Sequence, residues 1–172
     1  LGDVYKRQNT LITCGGIQSN HCRATAVLGA KLGLKVHLIL RGQKPEFLEG
    51  NLLLDHLAGA QITYLSKNDW GSHVAVAESL KEKSAIEGDK AHFIPTGASD
   101  EIGIWGYISA WEELKRNFED HDMEPEYVVM ATGSGGTQAG LLVGAQIYRS
   151  MTKVVAFNVC DDASYFLSLI HI

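Results

Sequence analysis

Long apolar runs are missing from this chain of 172 residues. None comes near the roughly 20 residues that a membrane-spanning helix needs, and the first residues lack the charged segment and apolar core of a secretory signal. With 45% hydrophobic and 20% charged residues, the composition is that of an ordinary globular protein. We therefore expect a globular, cytoplasmic protein with no membrane partner, while an organellar targeting segment farther upstream stays open.

A surplus of positive charge and a cysteine framework are missing as well. The chain has 15 Lys+Arg against 20 Asp+Glu, for a net charge of −5, and no basic stripe, which disfavours a nucleic-acid partner. Its 3 cysteines include no CxxC pair, so we expect buried thiols rather than disulfides or structural zinc. His21 and Cys22 are neighbours, but no second ligand pair stands at metal spacing. No metal site is predicted.

Apolar strands alternate with helical patterns along the chain, which is typical of an α/β protein with parallel sheets. The predicted strands are Leu11–Thr13, Val36–Leu40, Ile62–Leu65, His92–Ile94, Tyr127–Ala131 and Val154–Val159. The predicted helices are Asn20–Leu32, Leu52–Leu57, Val74–Ile86, Ile102–Phe118 and Leu141–Tyr148. We expect the pair Gly15 and Gly16 to end the first strand, and Ser19 or Asn20 to cap the first helix.

Helical spacing also predicts which faces are buried. In the first helix, the predicted apolar face consists of Ala24, Ala26, Val27, Ala30 and Leu34. In the helix over 102–118, it consists of Trp105, Ile108, Trp111 and Leu114. Trp105, Tyr107 and Trp111 are interpreted as core or domain-interface residues.

The segment Thr132–Gly140, with the sequence TGSGGTQAG, joins a predicted strand to a helix. Its glycines allow backbone N–H groups to approach an anion, and the helix N-terminus adds a favourable dipole. The named phosphate motifs do not fit, because the Walker lysine is missing and Gln138 replaces the third glycine of the dinucleotide fingerprint. A nucleophile elbow fails too, since Thr132 replaces its first glycine. Taken alone, this glycine loop predicts an anion site or a purely structural turn.

A second polar turn lies between the first strand and the first helix. Its side chains are Gln18, Ser19, Asn20 and His21. Open α/β sheets bind ligands at such strand ends, although a helix cap with polar neighbours explains one such cluster equally well. Two strand-to-helix turns rich in anion-binding donors favour one shared ligand.

Several segments together resemble a known family. They are GGIQSNHCRATA from Gly15, IPTGASDEIGIWGYI from Ile94, ATGSGGTQAGL from Ala131 and FNVCDD from Phe157. In this order they are similar to the group of pyridoxal-phosphate enzymes that contains D-cysteine desulfhydrase and 1-aminocyclopropane-1-carboxylate deaminase. The resemblance extends from about Asn9 to Phe166. It implies the tryptophan synthase β-like α/β fold, with three-layer αβα parallel-sheet domains that are truncated here at both ends.

The resemblance also implies roles for individual residues. The phosphate of pyridoxal 5'-phosphate is assigned to Gly133, Ser134, Gly135, Gly136 and Thr137, and Asn20 is assigned to the 3-hydroxyl oxygen of the pyridine ring. The substrate-binding residues are assigned as Gln18, Ser19, Asn20 and His21. Ser19 is the candidate catalytic residue, which binds the substrate carboxylate or assists proton transfer. Asp161 and Asp162 match the family too, but carboxylates after a strand are more often turn formers, and no catalytic role is assigned to them.

The domain organisation follows from the same resemblance. Residues 9–99 are predicted to form a smaller open α/β domain with the Ser-Asn motif, and 100–166 part of the larger cofactor-binding domain, in an enzyme that is a homodimer. Residues 1–8 and 167–172 resemble adapter sequence read as coding, and we expect them to be non-native. The family's Schiff-base lysine lies upstream of Ser19. Lys6 is the only lysine there and lacks the family's flanking pattern, so we expect the chain on its own to be inactive.

The resemblance favours D-cysteine desulfhydrase, which converts D-cysteine to pyruvate, hydrogen sulfide and ammonia. The form Ser19-Asn20-His21 is closer to that branch, since the deaminase branch tends to have glutamine in place of His21. The alternatives are a 1-aminocyclopropane-1-carboxylate deaminase, another eliminating or racemising enzyme of the same fold, or a non-catalytic phosphate-binding module. For the enzymes, the partner is a small amino-acid substrate.

Overall fold

A computed structural model describes residues 8–160, which divide into two units between Gly97 and Ala98. In the first unit, the elements are β1 (Thr10–Gly16), α1 (Asn20–Lys31), β2 (Lys35–Arg41), α2 (Gly50–Leu57), β3 (Gln61–Leu65), α3 (His73–Ile86) and β4 (Ala91–Ile94). Short 3-10 turns lie at Trp70–Ser72 and Thr96–Ala98. The strands form a parallel sheet in the order β3-β2-β1-β4. The predicted parallel α/β class is confirmed.

Two apolar clusters cover opposite faces of this sheet, because side chains alternate along each strand. Leu38 and Leu40 of β2 pack with residues of α1 and α2. Ile39 packs on the other face, with β1 and with Ala77 of α3. The sheet therefore lies between two helical layers, which is the three-layer αβα arrangement expected.

The buried face of α1 differs from the predicted one. Its buried residues are Cys22, Thr25, Ala26 and Gly29, whereas Val27 is 47% exposed. A Cβ on Gly29 would lie 2.3 Å from Val36 Cγ2. Because α1 lies so close to the sheet, small side chains face β2 while larger apolar ones point outward.

Strand β1 ends at the glycine pair, as predicted, but it includes both glycines and therefore extends three residues beyond the predicted Thr13. Gly15 pairs with Leu40 and Gly16 with Arg41. The seven-residue strand β2 offers a partner along the full length of β1. A Cβ on Gly15 would lie 2.8 Å from both Cys22 Sγ and Ser19 Oγ. Glycine is required there because the helix that follows crosses directly over the strand end.

In the second unit, the elements are α4 (Ile104–Asp120), β5 (Tyr127–Thr132), α5 (Gly136–Ile147) and β6 (Lys153–Asn158). Strands β5 and β6 pair in parallel, from Tyr127 opposite Lys153 to Thr132 opposite Asn158. Helix α5 begins at Gly136, five residues before the predicted Leu141, because the end of the glycine loop is already helical. Trp111, Leu141 and Ala145 form the core of this unit together with the inner face of the strands.

Close packing of α4 on α5 depends on two glycines of α5. A Cβ on Gly140 would lie 2.5 Å from Tyr107 Cβ, and one on Gly144 would lie 2.5 Å from Trp111 Cβ. Trp111 is 1% exposed, as predicted, whereas Trp105 at the start of α4 is 62% exposed. The predicted apolar face of α4 is therefore buried only from Ile108 onward.

The three cysteines have different environments. Cys14 and Cys22 are fully buried, as expected, whereas Cys160 is exposed, so the prediction of buried thiols holds for two of the three. Among the described helices, none has the length and apolar character needed to cross a membrane.

Candidate functional site

The polar turn after β1 is built on the N-terminus of α1. Ser19 is the N-cap residue, and its Oγ accepts a hydrogen bond of 3.2 Å from the backbone N–H of Cys22. This confirms one of the two predicted caps. The Ser19 hydroxyl also interacts with the Cys22 thiol, so donation to a substrate anion would exchange the sulfur for a stronger acceptor.

Asn51, in the first turn of α2, connects the residues of this turn. Its Nδ2 donates to the Gln18 backbone carbonyl at 2.8 Å and to Asn20 Oδ1 at 3.0 Å. Its Oδ1 accepts from the Arg23 guanidinium at 3.3 Å. A single side chain of α2 is thus bonded to the start of α1 at three places.

The Gln18 side chain is also held by the start of α2. Its Oε1 accepts from the backbone N–H of Asn51 at 2.8 Å, and its Nε2 donates to the Glu49 carbonyl at 3.2 Å. Gly50 has φ +55°, and a Cβ there would lie 2.5 Å from Gln18 Oε1. Both ends of the Gln18 amide therefore bind the protein itself, and its substrate-binding role stays a prediction.

His21 is bonded to the interior of the sheet. Its Nε2 lies 2.7 Å from Thr13 Oγ1, and Thr13 donates its hydroxyl hydrogen to the Ile94 carbonyl at 2.8 Å. Because that hydrogen is used, His21 Nε2 must be the donor to Thr13. Burial lowers the pKa of His21, so the ring is neutral at pH 7 and its Nδ1 is an acceptor.

An unpartnered carboxyl group lies behind this turn. Asp55 of α2 is fully buried, and neither of its side-chain oxygens has a hydrogen-bond partner in the described structure. Burial raises the pKa of Asp55 to about 6, and the Arg23 charge partly offsets this. Burial also raises the pKa of the Cys22 thiol to about 12, and a hydrogen bond with Ser19 opposes that rise. The polar turn after β1 therefore packs against a carboxyl group and a thiol that are both neutral near pH 5.

The glycine loop after β5 is shaped by Ser99. The Ser99 hydroxyl donates to Ser134 Oγ at 2.6 Å, and its oxygen accepts from the backbone N–H of Gly136 at 3.1 Å. A Cβ on Gly136 would lie 2.5 Å from that oxygen. Gly135 has φ +89°, a left-handed conformation that favours glycine. Ser99 and the glycines together fix the path of the loop into α5.

The loop leaves several backbone donors free. Within residues 8–160, no acceptor is bonded to the N–H groups of Ser134, Gly135, Thr137 or Gln138, and the first helical bond is from Ala139 to the Gly135 carbonyl. Free N–H groups at a helix N-terminus, together with the helix dipole, make a binding site for an anion such as a phosphate. The predicted anion site thus has suitable donors.

The predicted site residues lie in two groups. Gln18, Ser19, Asn20 and His21 are together at the start of α1, and Gly133–Thr137 lead into α5. Lys6, Asp161 and Asp162 lie outside the described residues. Asn51 and Ser99, which hold these two groups in place, were not predicted from the sequence. Each lies far along the chain from the residues it binds. The only signal in the sequence is local: Asn51 follows a glycine and precedes an apolar run, and Ser99 precedes Asp100 and Glu101.

Comparison with protein-family models gives a match to the pyridoxal-phosphate-dependent enzyme family over residues 2–169. The chain belongs to this family. Membership in this pyridoxal-phosphate-dependent family confirms the resemblance drawn from the glycine loop and the Ser-Asn motif, and the family's cofactor is pyridoxal 5'-phosphate.

Two curated relatives are similar to most of this pyridoxal-phosphate-dependent chain. The mitochondrial bifunctional D-cysteine desulfhydrase/1-aminocyclopropane-1-carboxylate deaminase of Arabidopsis thaliana is 43% identical, and the match covers 97% of this chain and 44% of the relative. The D-cysteine desulfhydrase of Serratia proteamaculans (strain 568) is 34% identical, and the match covers 88% of this chain and 47% of that protein. The chain spans about half the length of these relatives.

A solved structure supports the fold. The crystal structure of a homologue of 1-aminocyclopropane-1-carboxylate deaminase has a TM-score of 0.83 and 33% identity, and the match covers 99% of this chain and 52% of that one. This similarity confirms the α/β fold that was predicted for the chain.

The residues present fit the family's cofactor. A phosphate group needs several N–H or O–H donors, and the glycine loop has four backbone N–H groups without a described acceptor. A ring oxygen needs a donor, and Asn20 Nδ2 has no described partner while its Oδ1 is occupied by Asn51. The assignment of particular residues to the cofactor and the division into family domains stay predictions.

Proposed function

We propose that this chain is the part of a pyridoxal-phosphate-dependent lyase that contains the phosphate loop and the Ser-Asn motif, and that the enzyme acts on D-cysteine. In the reaction, D-cysteine and water give pyruvate, hydrogen sulfide and ammonia. The observation that supports this most is the 43% identity to a relative whose name includes D-cysteine desulfhydrase. The free donors of the two turns supply chemistry that suits an anionic amino acid and a phosphate.

Each group of residues has a defined task in this proposal. The N–H groups of Ser134, Gly135, Thr137 and Gln138 hold the phosphate without a charged side chain. Asn20 donates through Nδ2 to the ring oxygen, and the Ser19 hydroxyl donates to the substrate carboxylate. The cofactor, when bound, serves as the electron sink for cleavage of bonds at the substrate's α and β carbons.

The neutral His21 has a narrower task. Its Nε2–H donates to Thr13, which leaves Nδ1 able to accept a hydrogen bond from a ligand. It therefore orients a donor beside Ser19 and Asn20 and adds no positive charge to the turn. Together with the capped N-terminus of α1, this gives the substrate carboxylate neutral donors only.

A second candidate function is the deamination of 1-aminocyclopropane-1-carboxylate to 2-oxobutanoate and ammonia. The Arabidopsis relative is named for both activities, and the similar solved structure is a homologue of the deaminase. Both substrates are small amino acids whose carboxylate suits the same donors. We therefore propose D-cysteine as the main substrate and the cyclopropane amino acid as the alternative.

The test uses the protein expressed from its complete gene and loaded with pyridoxal 5'-phosphate. Pyruvate and sulfide release from D-cysteine is measured beside 2-oxobutanoate release from 1-aminocyclopropane-1-carboxylate. Sulfide release at the higher kcat/KM supports the desulfhydrase, and 2-oxobutanoate alone moves the assignment to the deaminase. A protein that binds no cofactor and turns over neither substrate is instead a phosphate-binding module.

We further propose that the full-length enzyme is a cytoplasmic homodimer. The dimer is what the family resemblance implies, and light scattering during size-exclusion chromatography tests it. The name of the Arabidopsis relative places that protein in mitochondria, so imaging of the tagged full-length protein decides between the two compartments.

A further inference from the structure

The orientation of the Asn51 amide is fixed by two partners of unambiguous chemistry. The Gln18 backbone carbonyl only accepts hydrogen bonds, so the Asn51 atom 2.8 Å away is the nitrogen. The Arg23 guanidinium only donates, so the Asn51 atom 3.3 Å from it is the oxygen. A flipped Asn51 would place like groups together on both sides.

The orientation of Asn20 follows from that of Asn51. An NH2 group can only donate, so the Asn20 atom 3.0 Å from Asn51 Nδ2 must be the oxygen. The Asn20 NH2 group is then on the other side of the amide, where no described residue accepts from it. Asn20 is exposed and Asn51 only partly so, which makes Asn51 the fixed member of the pair.

We infer that Asn51 is a positioning residue that turns the NH2 group of Asn20 outward, so that Asn20 meets the cofactor as a donor and never as an acceptor. The inference rests on the proposed role of Asn20 toward the ring oxygen. A freely rotating amide would present its oxygen part of the time, and two oxygens facing each other repel. Asn51 removes that wrong orientation before the cofactor binds.

Asn51→Asp is the most informative variant. The carboxylate keeps the shape of the side chain and its bond to Arg23, and it suits the first turn of α2. It also turns the donor to Asn20 into an acceptor, so the Asn20 amide must flip and present its oxygen. Asn117→Asp on α4, where Nδ2 donates to the Glu113 carbonyl, makes the same chemical exchange at an unrelated place.

The first measurement is the dissociation constant of pyridoxal 5'-phosphate for the full-length protein. Asn51→Asp is expected to weaken binding by about tenfold or more and to change the ratio of the cofactor's visible absorption bands. Because it also loses the bond to the Gln18 carbonyl, the melting temperature of the cofactor-free protein falls as well, and it falls equally in the presence and absence of the Asn20 side chain. Asn117→Asp is expected to change neither the affinity for the cofactor nor the ratio of its absorption bands. In an Asn20→Ala background, Asn51→Asp is expected to add less than about twofold. Equal losses in both backgrounds would overturn the inference.

The second measurement needs no cofactor. NMR of the side-chain amides in the cofactor-free protein is expected to show rapid solvent exchange for the Asn20 NH2 group, and slow exchange in Asn51→Asp, where that group donates to the new carboxylate. Identical exchange in the two proteins would overturn the inference. If the wild-type protein binds no cofactor, the proposed function fails, and this measurement still decides the orientation of Asn20.

Discussion

The turn after β1 presents side chains, whereas the turn after β5 presents backbone N–H groups. In the first turn, amide and hydroxyl groups are oriented by Asn51 and by the helix cap. In the glycine loop, the side chain of Ser99 shapes the backbone, and the free donors belong to the main chain. Side-chain donors select a particular ligand atom, whereas an array of N–H groups suits any compact anion. The comparison therefore predicts that the two turns tolerate different substitutions.

Alanine at one glycine of the glycine loop and at one glycine beside the first turn tests this contrast, and it gives the largest expected effect. In Gly136→Ala, the new Cβ meets Ser99 Oγ at 2.5 Å and Ser99 Cα at 3.1 Å, so the loop must move. We expect the affinity for pyridoxal 5'-phosphate to fall by about 100-fold. Gly16→Ala, at the last residue of β1 just before the first turn, meets no atom within 4 Å and should bind the cofactor as the unchanged protein does. Fluorescence titration measures both, and equal affinities would remove the contrast.

The packing behind the glycine loop gives the next effect. In Gly144→Ala, the Cβ would lie 2.5 Å from Trp111 Cβ, and α4 must shift away from α5 at a cost of about 2 to 3 kcal/mol of unfolding free energy. Gly106→Ala on α4 meets no atom within 4 Å and should stabilise by about 0.5 kcal/mol through helix propensity. Urea unfolding followed by tryptophan fluorescence gives both values, and two changes of the same sign would contradict this account.

Asp55, behind the first turn, makes the stability of the first unit sensitive to pH. Its pKa of about 6 in the fold lies above the ordinary value of 3.8, so the folded state holds the proton more tightly. Stability is then greatest at low pH and is lost as the pH rises through 6, by about 3 kcal/mol in all, of which about 2 kcal/mol is lost between pH 4 and pH 7. Asp55→Asn should remove this dependence in urea unfolding between pH 4 and 7. Glu82→Gln, an exposed residue of α3, is the control and should leave the slope unchanged.

Ser99 gives the smallest of the four effects. Ser99→Ala removes its bonds to Ser134 and Gly136, yet the glycines still allow the same loop path. We expect about a tenfold loss of cofactor affinity. Ser99→Thr keeps the hydroxyl and should recover most of it. A Thr variant as weak as the Ala variant would show that the hydroxyl is not what shapes the loop.

The order of strands and helices could be predicted from the sequence because each depends on a local pattern. Apolar runs such as Val36–Leu40 and the cap at Ser19 are visible within a few residues. The two polar turns could be recognised from the family resemblance for the same reason, since the motif of each is a contiguous stretch of sequence.

Contacts between distant residues could not be predicted in this way. Asn51 binds residues 31 and 33 positions away, and Ser99 binds residues 35 and 37 positions away. No periodicity or motif links such pairs. The prediction of the buried face of α1 was wrong for a related reason. The short distance between α1 and the sheet at Gly29, and not the hydrophobicity of α1, decides which side chains fit there.

The different burial of the three thiols makes their reactivity a measure of local unfolding. Cys14 and Cys22 are buried, and burial raises the pKa of each, so both stay as unreactive thiols in the folded first unit. Cys160 is exposed. Of these three thiols, brief treatment of the folded protein with an alkylating reagent should therefore label only Cys160. The rate at which label appears on Cys14 and Cys22 then measures how often the first unit opens.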